Sequence, residues 1–192
     1  MNFLPQKSIG GYNEMSEKTA LLLIDVQNIM FSYKGGFLWN EQQVLKNITS
    51  LREKAHQSNA PIIYIQHTEP SSSSILSEGK VTWEIHQDVR PLPIDTVIQK
   101  SCWDAFYQTT LHEKLQELKI GKLVIAGMQT EFCLDTTCRR AYSLGYKENI
   151  LVKDAHSTFD TAVLSASKIV EHHNNMLGGR FVSLREVNEI IF

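Results

Sequence analysis

Residues 19–26 read Thr-Ala-Leu-Leu-Leu-Ile-Asp-Val, an apolar run that meets a charge only at Asp25. A strand of that composition has two apolar faces, and both must be covered. A sheet with one wet face cannot use it, whereas a parallel sheet with helices on both sides can. The pattern recurs at residues 61–67 (Pro-Ile-Ile-Tyr-Ile-Gln-His), 122–126 (Lys-Leu-Val-Ile-Ala) and 149–153, with a shorter strand at 96–99 that ends on Lys100.

Helical periodicity fills the gaps. Over residues 41–57, Val44, Leu45, Ile48, Leu51 and Ala55 form one stripe, with Lys46, Arg52, Glu53 and Lys54 off it. Thr110 and Glu113 read as a capping box for a helix to Leu118 that buries Leu111, Leu115 and Leu118. Residues 134–144 turn Leu134, Cys138, Ala141 and Tyr142 inward, and Gly145 suits the position after the helix end. A helix over 161–174 carries Val163, Ala166, Ile169 and Val170, residues 180–182 make a last strand, and Ser183 to Glu186 cap a terminal helix. This alternation predicts an α/β chain: a single-domain three-layer α/β/α sandwich on a mostly parallel sheet of about six strands, with right-handed crossovers. Residues 1–18 are polar and irregular, an N-terminal arm to a domain over 19–192. The serine run at 71–74 lies in a long loop to about Arg90, read as a mobile connection.

The 192 residues suffice for a core without staples. Nineteen Lys plus Arg against 21 Asp plus Glu give a net charge of −2 with no run of one sign, so neither nucleic acid nor a membrane surface is an expected partner. Residues 1–11 lack a charged segment followed by an apolar one, and no apolar run approaches the ~20 residues of a membrane span. Three cysteines, an odd number, speak against a disulfide framework and for a reducing, cytoplasmic setting.

In open parallel sheets, sites form outside the carboxyl ends of the strands. Asp25, Lys100 and Cys133 each fall at or just past such an end, on the first, third and fourth strands. Taken singly, Asp25 could cap a turn, Lys100 could be a solvated surface lysine, and Cys133 could be a small buried hydrophobe. Together they make a nucleophile with an activating pair. A thiol at a strand-to-helix turn is also placed where a helix N-terminus can lower its pKa.

Four segments carry a resemblance: Leu22 to Asn28, Gln99 to Phe106, Gly127 to Thr137 and Asp154 to Asp160. In that order they resemble the isochorismatase-like cysteine hydrolases, a superfamily that includes nicotinamidases, N-carbamoylsarcosine amidohydrolases and isochorismatases. The resemblance implies that fold, and makes Cys133 the nucleophile, Asp25 the general acid/base and Lys100 the group that polarises and orients the pair. It further implies a non-proline cis peptide before Gln129, which turns the Gln129 N–H beside that of Cys133 as an oxyanion hole. The implied activity is hydrolysis of an amide or lactam C–N bond in a small molecule through a thioester, without a cofactor. Gln129-Thr130-Glu131 resembles the streptothricin hydrolase-like branch. Homo-oligomerisation, as dimer or tetramer, is implied by the family alone.

Gln27, Phe31, Phe37, Trp39, His67, Trp83, Trp103 and Phe106 are the expected substrate-binding residues. Nicotinamidases carry an Asp-x-His and further histidines that hold a metal. Here residues 64–70 read Tyr-Ile-Gln-His-Thr-Glu-Pro, with His67 alone beside Glu69, so no catalytic metal is expected. His172 and His173 point about 100° apart on a helix and suit a structural or interface role. Isochorismatase-type vinyl-ether hydrolysis and nicotinamidase activity are the alternatives within the family. A redox protein or a catalytically silent scaffold are the alternatives from other classes. Cys133 and Cys138 diverge by about 140° around a helix, which disfavours a disulfide.

Overall fold

The computed structural model describes residues 18–32 and 37–192, so the expected N-terminal arm lies outside the described residues except for Lys18. Strand β1 (Lys18–Ile24) buries both faces, as its composition demands. Ala20, Leu22 and Ile24 enter one core cluster, while Leu21 and Leu23 enter the other. Alternation along a strand sends neighbours to opposite faces, so one apolar run feeds two cores.

Helices α1 (Asn28–Ser32) and α2 (Glu41–Gln57) follow, then β2 (Ile62–His67), β3 (Thr96–Lys100) and α3 (Leu111–Glu117). Strand β4 (Ile120–Met128) leads through a π-helical turn at Thr130–Leu134 into α4 (Asp135–Ser143). Strand β5 (Ile150–Ser157), α5 (Ala166–Leu177), β6 (Ser183–Arg185) and a 3-10 turn at Val187–Glu189 complete the chain. The six strands pair in parallel in the order β3-β2-β1-β4-β5-β6. Val44, Ile48, Leu51 and Ala55 of α2 cover one face. Leu111 and Leu115 of α3, Cys138 and Ala141 of α4, and Leu177 of α5 cover the other. The expected three-layer α/β/α sandwich is therefore present. Among the described residues no helix is long and apolar enough to cross a membrane.

The strand order reverses between β1 and β4. The chain walks from β1 to the β3 edge, then returns to the other side of β1. A crevice opens at such a switch point, outside the carboxyl ends of the two central strands. Their approach is tight: Gly127 pairs with Ile24, and a Cβ on Gly127 would lie 2.0 Å from the Ile24 carbonyl oxygen. Gly127 also has φ +123°, a conformation side chains rarely adopt.

Several expected boundaries shift, each for a local reason. The Thr110 box does not form, because the Thr109 hydroxyl accepts the Leu111 N–H instead. The helix expected from 161 starts at Ala166. Before it, the Thr161 hydroxyl accepts the N–H groups of Val163 and Leu164, and the Asp160 carboxylate accepts that of Ala166. Such side-chain bonds hold the backbone in a turn and out of the helix. Val163, expected inward, is exposed as a result. Strand β5 continues past Asp154, since His156 and Ser157 pair with Gly127 and Met128 across a register shift. The last strand is Ser183–Arg185, displacing the expected cap, and the capping box that forms joins Glu186 and Glu189.

Gly127→Ala should therefore destabilise the chain by about 2–4 kcal/mol, from steric overlap plus an unfavourable φ. The urea midpoint reads this directly, and an unchanged midpoint would mean that β1 and β4 can separate without loss.

Candidate active site

Asp25 follows β1 directly, fully buried and at φ +49°, a left-handed conformation uncommon outside glycine, with its N–H donating to the Ile65 carbonyl at 2.9 Å. Lys100 closes β3 with its side chain wholly buried. Cys133 sits within the π turn, where the Leu134 N–H donates to the Gln129 carbonyl five residues back. That position corrects the expected start of an α-helix: α4 begins only at Asp135. The Met128–Gln129 peptide preceding the turn is cis.

With His67 at the end of β2, these elements bring three side chains onto one atom of the Lys100 side chain. Lys100 Nζ lies 2.7 Å from Asp25 Oδ2, 3.2 Å from Cys133 Sγ and 3.0 Å from His67 Nδ1. Two of its N–H donors reach hydrogen-bond acceptors, His67 Nδ1 and Cys133 Sγ, and Asp25 Oδ2 faces it as an ion pair. Burial alone would lower the Lys100 pKa, but the Asp25 carboxylate and the Cys133 sulfur outweigh it and hold the amine protonated. Burial and the neighbouring ammonium push His67 below its ordinary value, so the imidazole is neutral and Nδ1 accepts. Asp25 Oδ1 is sealed from solvent and has no hydrogen-bond partner among the described residues.

The Cys133 thiol departs from expectation. Burial, reinforced by the Asp25 carboxylate and only partly offset by Lys100, pushes its pKa up to about 12. Burial and the carboxylate thus favour a protonated thiol beside a base as the resting form. Asp25, His67 and Cys133 also offer metal-type donor atoms within 4.8 Å of one another. All three residues also contact the Lys100 ammonium, so a metal ion there would share the site with a buried cation.

Above the thiol lies a cavity of about 500 Å³. Asp25, Gln129 and Cys133 line it together with Met30, Leu76, Phe132 and Trp103. Of the expected substrate-binding residues, His67 and Trp103 are in this lining. Phe106 is not, since it is buried in the core and stacked on Tyr146. Phe31 packs against His86, Phe37 is 90% exposed, and Trp39 meets β5 through its carbonyl, which accepts the Ser157 hydroxyl. Trp83 is pinned by its indole N–H to the Thr68 hydroxyl at 2.8 Å. Gln27 is a clamp: its amide donates to the carbonyls of His67 and Trp83 and accepts the His67 N–H. His173 is tied to its own helix through the Ile169 carbonyl. The three cysteines are free, and Cys138 is in the core and remote from the cavity lining.

Met30, Leu76 and Phe132 are pocket residues that sequence reasoning missed. Phe132 carried a usable signal, standing directly before the candidate nucleophile. Thr130 and His156 form a further missed pair: buried His156 meets the Thr130 hydroxyl at 2.9 Å and the Asn174 amide oxygen at 3.1 Å. The amide oxygen can only accept, so Nε2 carries the proton and Nδ1 accepts from Thr130. His156 thus ties the nucleophile turn to β5 and α5.

The Isochorismatase domain model matches residues 19–177. The chain belongs to the isochorismatase family. It is 37% identical over 153 residues to the uncharacterized isochorismatase family protein YddQ of Bacillus subtilis, covering 79% of this chain and 83% of that one. It is 29% identical over 141 residues to the streptothricin hydrolase of Streptomyces noursei, covering 73% of this chain and 50% of that protein. Among solved structures, an isochorismatase from Pseudomonas putida superposes with a TM-score of 0.86 at 28% identity, covering 91% of each chain. The isochorismatase-like fold expected from the four segments is thereby shown.

With its thiol pKa near 12, Cys133 should alkylate slowly at pH 7 in the free protein, the rate rising about tenfold per pH unit through pH 9. Asp25→Asn removes a charge that raises this pKa, so its Cys133 should alkylate faster than wild type at pH 8–9. Iodoacetamide labelling followed by intact mass reads both, and a wild-type rate independent of pH from 6 to 9 would contradict this picture.

Burial holds His156 down to about 4, below its unfolded value of about 6.5. The unfolded chain thus binds the proton first as pH falls. Stability should be full above pH 6.5 and drop by about 3 kcal/mol toward pH 4. Urea midpoints at pH 7.5 and 4.5 should show this in wild type and a smaller drop in His156→Gln.

Proposed function

We propose that this isochorismatase-family hydrolase cleaves an amide or lactam C–N bond in a small molecule, through a Cys133 thioester. The observation that carries the reading is the convergence of Asp25 and Cys133 on the buried Lys100 ammonium beneath the cavity. An acid/base with a vacant oxygen, a thiol and a fixed positive charge are the parts that acyl transfer needs.

Substrate binding places a carbonyl carbon over Sγ. Asp25 Oδ1 takes the thiol proton as the S–C bond forms, while Lys100 stabilises sulfur and carboxylate in turn. The developing oxyanion is met by the backbone N–H groups of Gln129 and Cys133. One such donor is typically worth about 3–4 kcal/mol. Protonated Asp25 then delivers its proton to the nitrogen, the C–N bond breaks and the amine or ammonia departs. Asp25 next deprotonates a water, which attacks the thioester; the carboxylic acid leaves and the thiol is restored. General-base removal of the proton suits a thiol whose resting pKa is high.

A thiol favours this over vinyl-ether hydrolysis, which needs no sulfur nucleophile. A panel of primary amides and lactams tests the reading. Turnover should appear with wild type, fall at least ~10³-fold in Cys133→Ala and Asp25→Asn, and leave an acyl adduct on Cys133 after rapid quench. Turnover that survives in Cys133→Ala would remove the thioester from the mechanism.

A further inference from the structure

His67 closes β2 and lines the cavity beside the Cys133 thiol. Its backbone is fixed from two sides. The fully buried Gln27 amide accepts the His67 N–H at 2.8 Å and donates to its carbonyl at 3.0 Å. On the other side, β2 pairs His67 with Lys100 of β3. A ring on a backbone held this firmly is preorganised, and little freedom is left to lose when a ligand binds.

The position of its proton follows from its partner. Lys100 faces Asp25 at 2.7 Å, which keeps the amine an ammonium, and an ammonium only donates. Nδ1 lies 3.0 Å from that ammonium and must accept. Burial and the cation keep the ring neutral, so its one proton sits on Nε2. Nδ1 is turned down to buried Lys100, which leaves the edge carrying Nε2 to meet the cavity. Among the described residues Nε2 has no hydrogen-bond partner. Lys100 thus fixes a tautomer whose N–H is offered to whatever fills the cavity.

Sheet order gives this donor a direction. Strands β2 and β4 flank β1, so His67 and Gln129 stand on opposite sides of Asp25. In the proposed reaction the scissile oxygen turns to Gln129 and the leaving nitrogen to Asp25. The acyl chain is then the part left for the β2 side. An anionic group there would meet Glu69 in the lining and Asp25 beneath it, whereas a neutral acceptor meets no like charge.

We propose that His67 is a specificity residue whose Nε2–H donates to a neutral acceptor, such as a second carbonyl oxygen, on the acyl chain of the substrate. The substrate class is then a small amide with a further carbonyl a few bonds from the scissile one. The word substrate rests on the C–N hydrolase reading above; the donor itself does not.

The tautomer is read first, by long-range proton–nitrogen NMR on nitrogen-15-labelled protein at pH 7.5. The His67 signals are those missing from His67→Asn. Nε2 should carry the proton, and an Nδ1–H tautomer or an imidazolium would overturn the proposal. Affinities are then compared for 3-oxobutanamide and 3-methylbutanamide, in which a carbonyl oxygen replaces a methyl group. The protein is Cys133→Ser, which keeps an acceptor for Lys100. The ketone should bind about threefold to tenfold tighter, the worth of one neutral hydrogen bond, and should shift the Nε2 signal. His67→Asn keeps an amide oxygen near the Nδ1 position but no donor near Nε2, whereas His67→Gln reaches the Nε2 position with an N–H. Adding His67→Asn should therefore abolish the preference, and His67→Gln should retain part of it. Equal affinities for Cys133→Ser protein, or a preference that His67→Asn leaves intact, would overturn the proposal. Wild-type turnover of the same pair separates the two claims. His67-dependent binding of the ketone with hydrolysis of neither amide sinks the hydrolase reading and keeps the donor. Hydrolysis of both amides with equal kcat/KM sinks the donor and keeps the hydrolase.

Discussion

The buried ammonium of Lys100 is the interaction on which the rest of the site depends. A charge without water must be surrounded by acceptors, and those on hand come from three different strand exits. Asp25 arrives from β1, His67 from β2 and Cys133 from the turn after β4. Removing any one would leave an N–H unpaired in a dry interior. The ammonium therefore acts as a positional constraint as well as a charge. It also affects protonation around it: burial and the facing cation together hold His67 below its ordinary value, which keeps the imidazole neutral.

Holding those exits together takes backbone in unusual conformations. Asp25 turns at φ +49° immediately after a strand, and Gly127 passes so close to Ile24 that a methyl group would overlap its carbonyl. Both lie at the switch point of the sheet, where the two central strands diverge into opposite crossovers. Gln27 closes the arrangement from β1 to the β2 exit with three hydrogen bonds, and His156 closes it from β5 through Thr130. Sheet pairing sets the floor of the cavity, and buried polar side chains fix its geometry above that floor.

The same environment shapes reactivity. Burial and the Asp25 carboxylate favour the proton on the Cys133 sulfur; in the proposed reaction, ionisation and attack are then coupled to the arrival of a carbonyl. A permanently ionised thiol would be exposed to adventitious oxidants and electrophiles.

Local chemistry was legible wherever it depended on residue type and period. The doubly apolar strands, the α2 stripe and the polar residues ending β1 and β3 all read directly from the chain, because burial on two faces leaves no other composition. Asp25 and Lys100 stood out for a related reason: a charge that closes an apolar run needs a partner. The elements that failed were those where a side chain competed with the backbone, as at Thr109 and Thr161, or where a strand ran on through polar residues, as at His156. The cavity lining was the least legible part. Phe106 and Trp103 lie three residues apart after the same strand, yet one joins the core and the other faces the cavity. Periodicity does not distinguish them, because the path of this loop is set by a distant clamp, the Thr137 hydroxyl, which accepts the Ala105 N–H and donates to the Trp103 carbonyl. Composition and pattern by themselves determined the layers, the sheet and the residues at its carboxyl edge. Tertiary structure alone decided the raised thiol pKa and the lining of the cavity, since each depends on groups far apart in sequence meeting in a space without water.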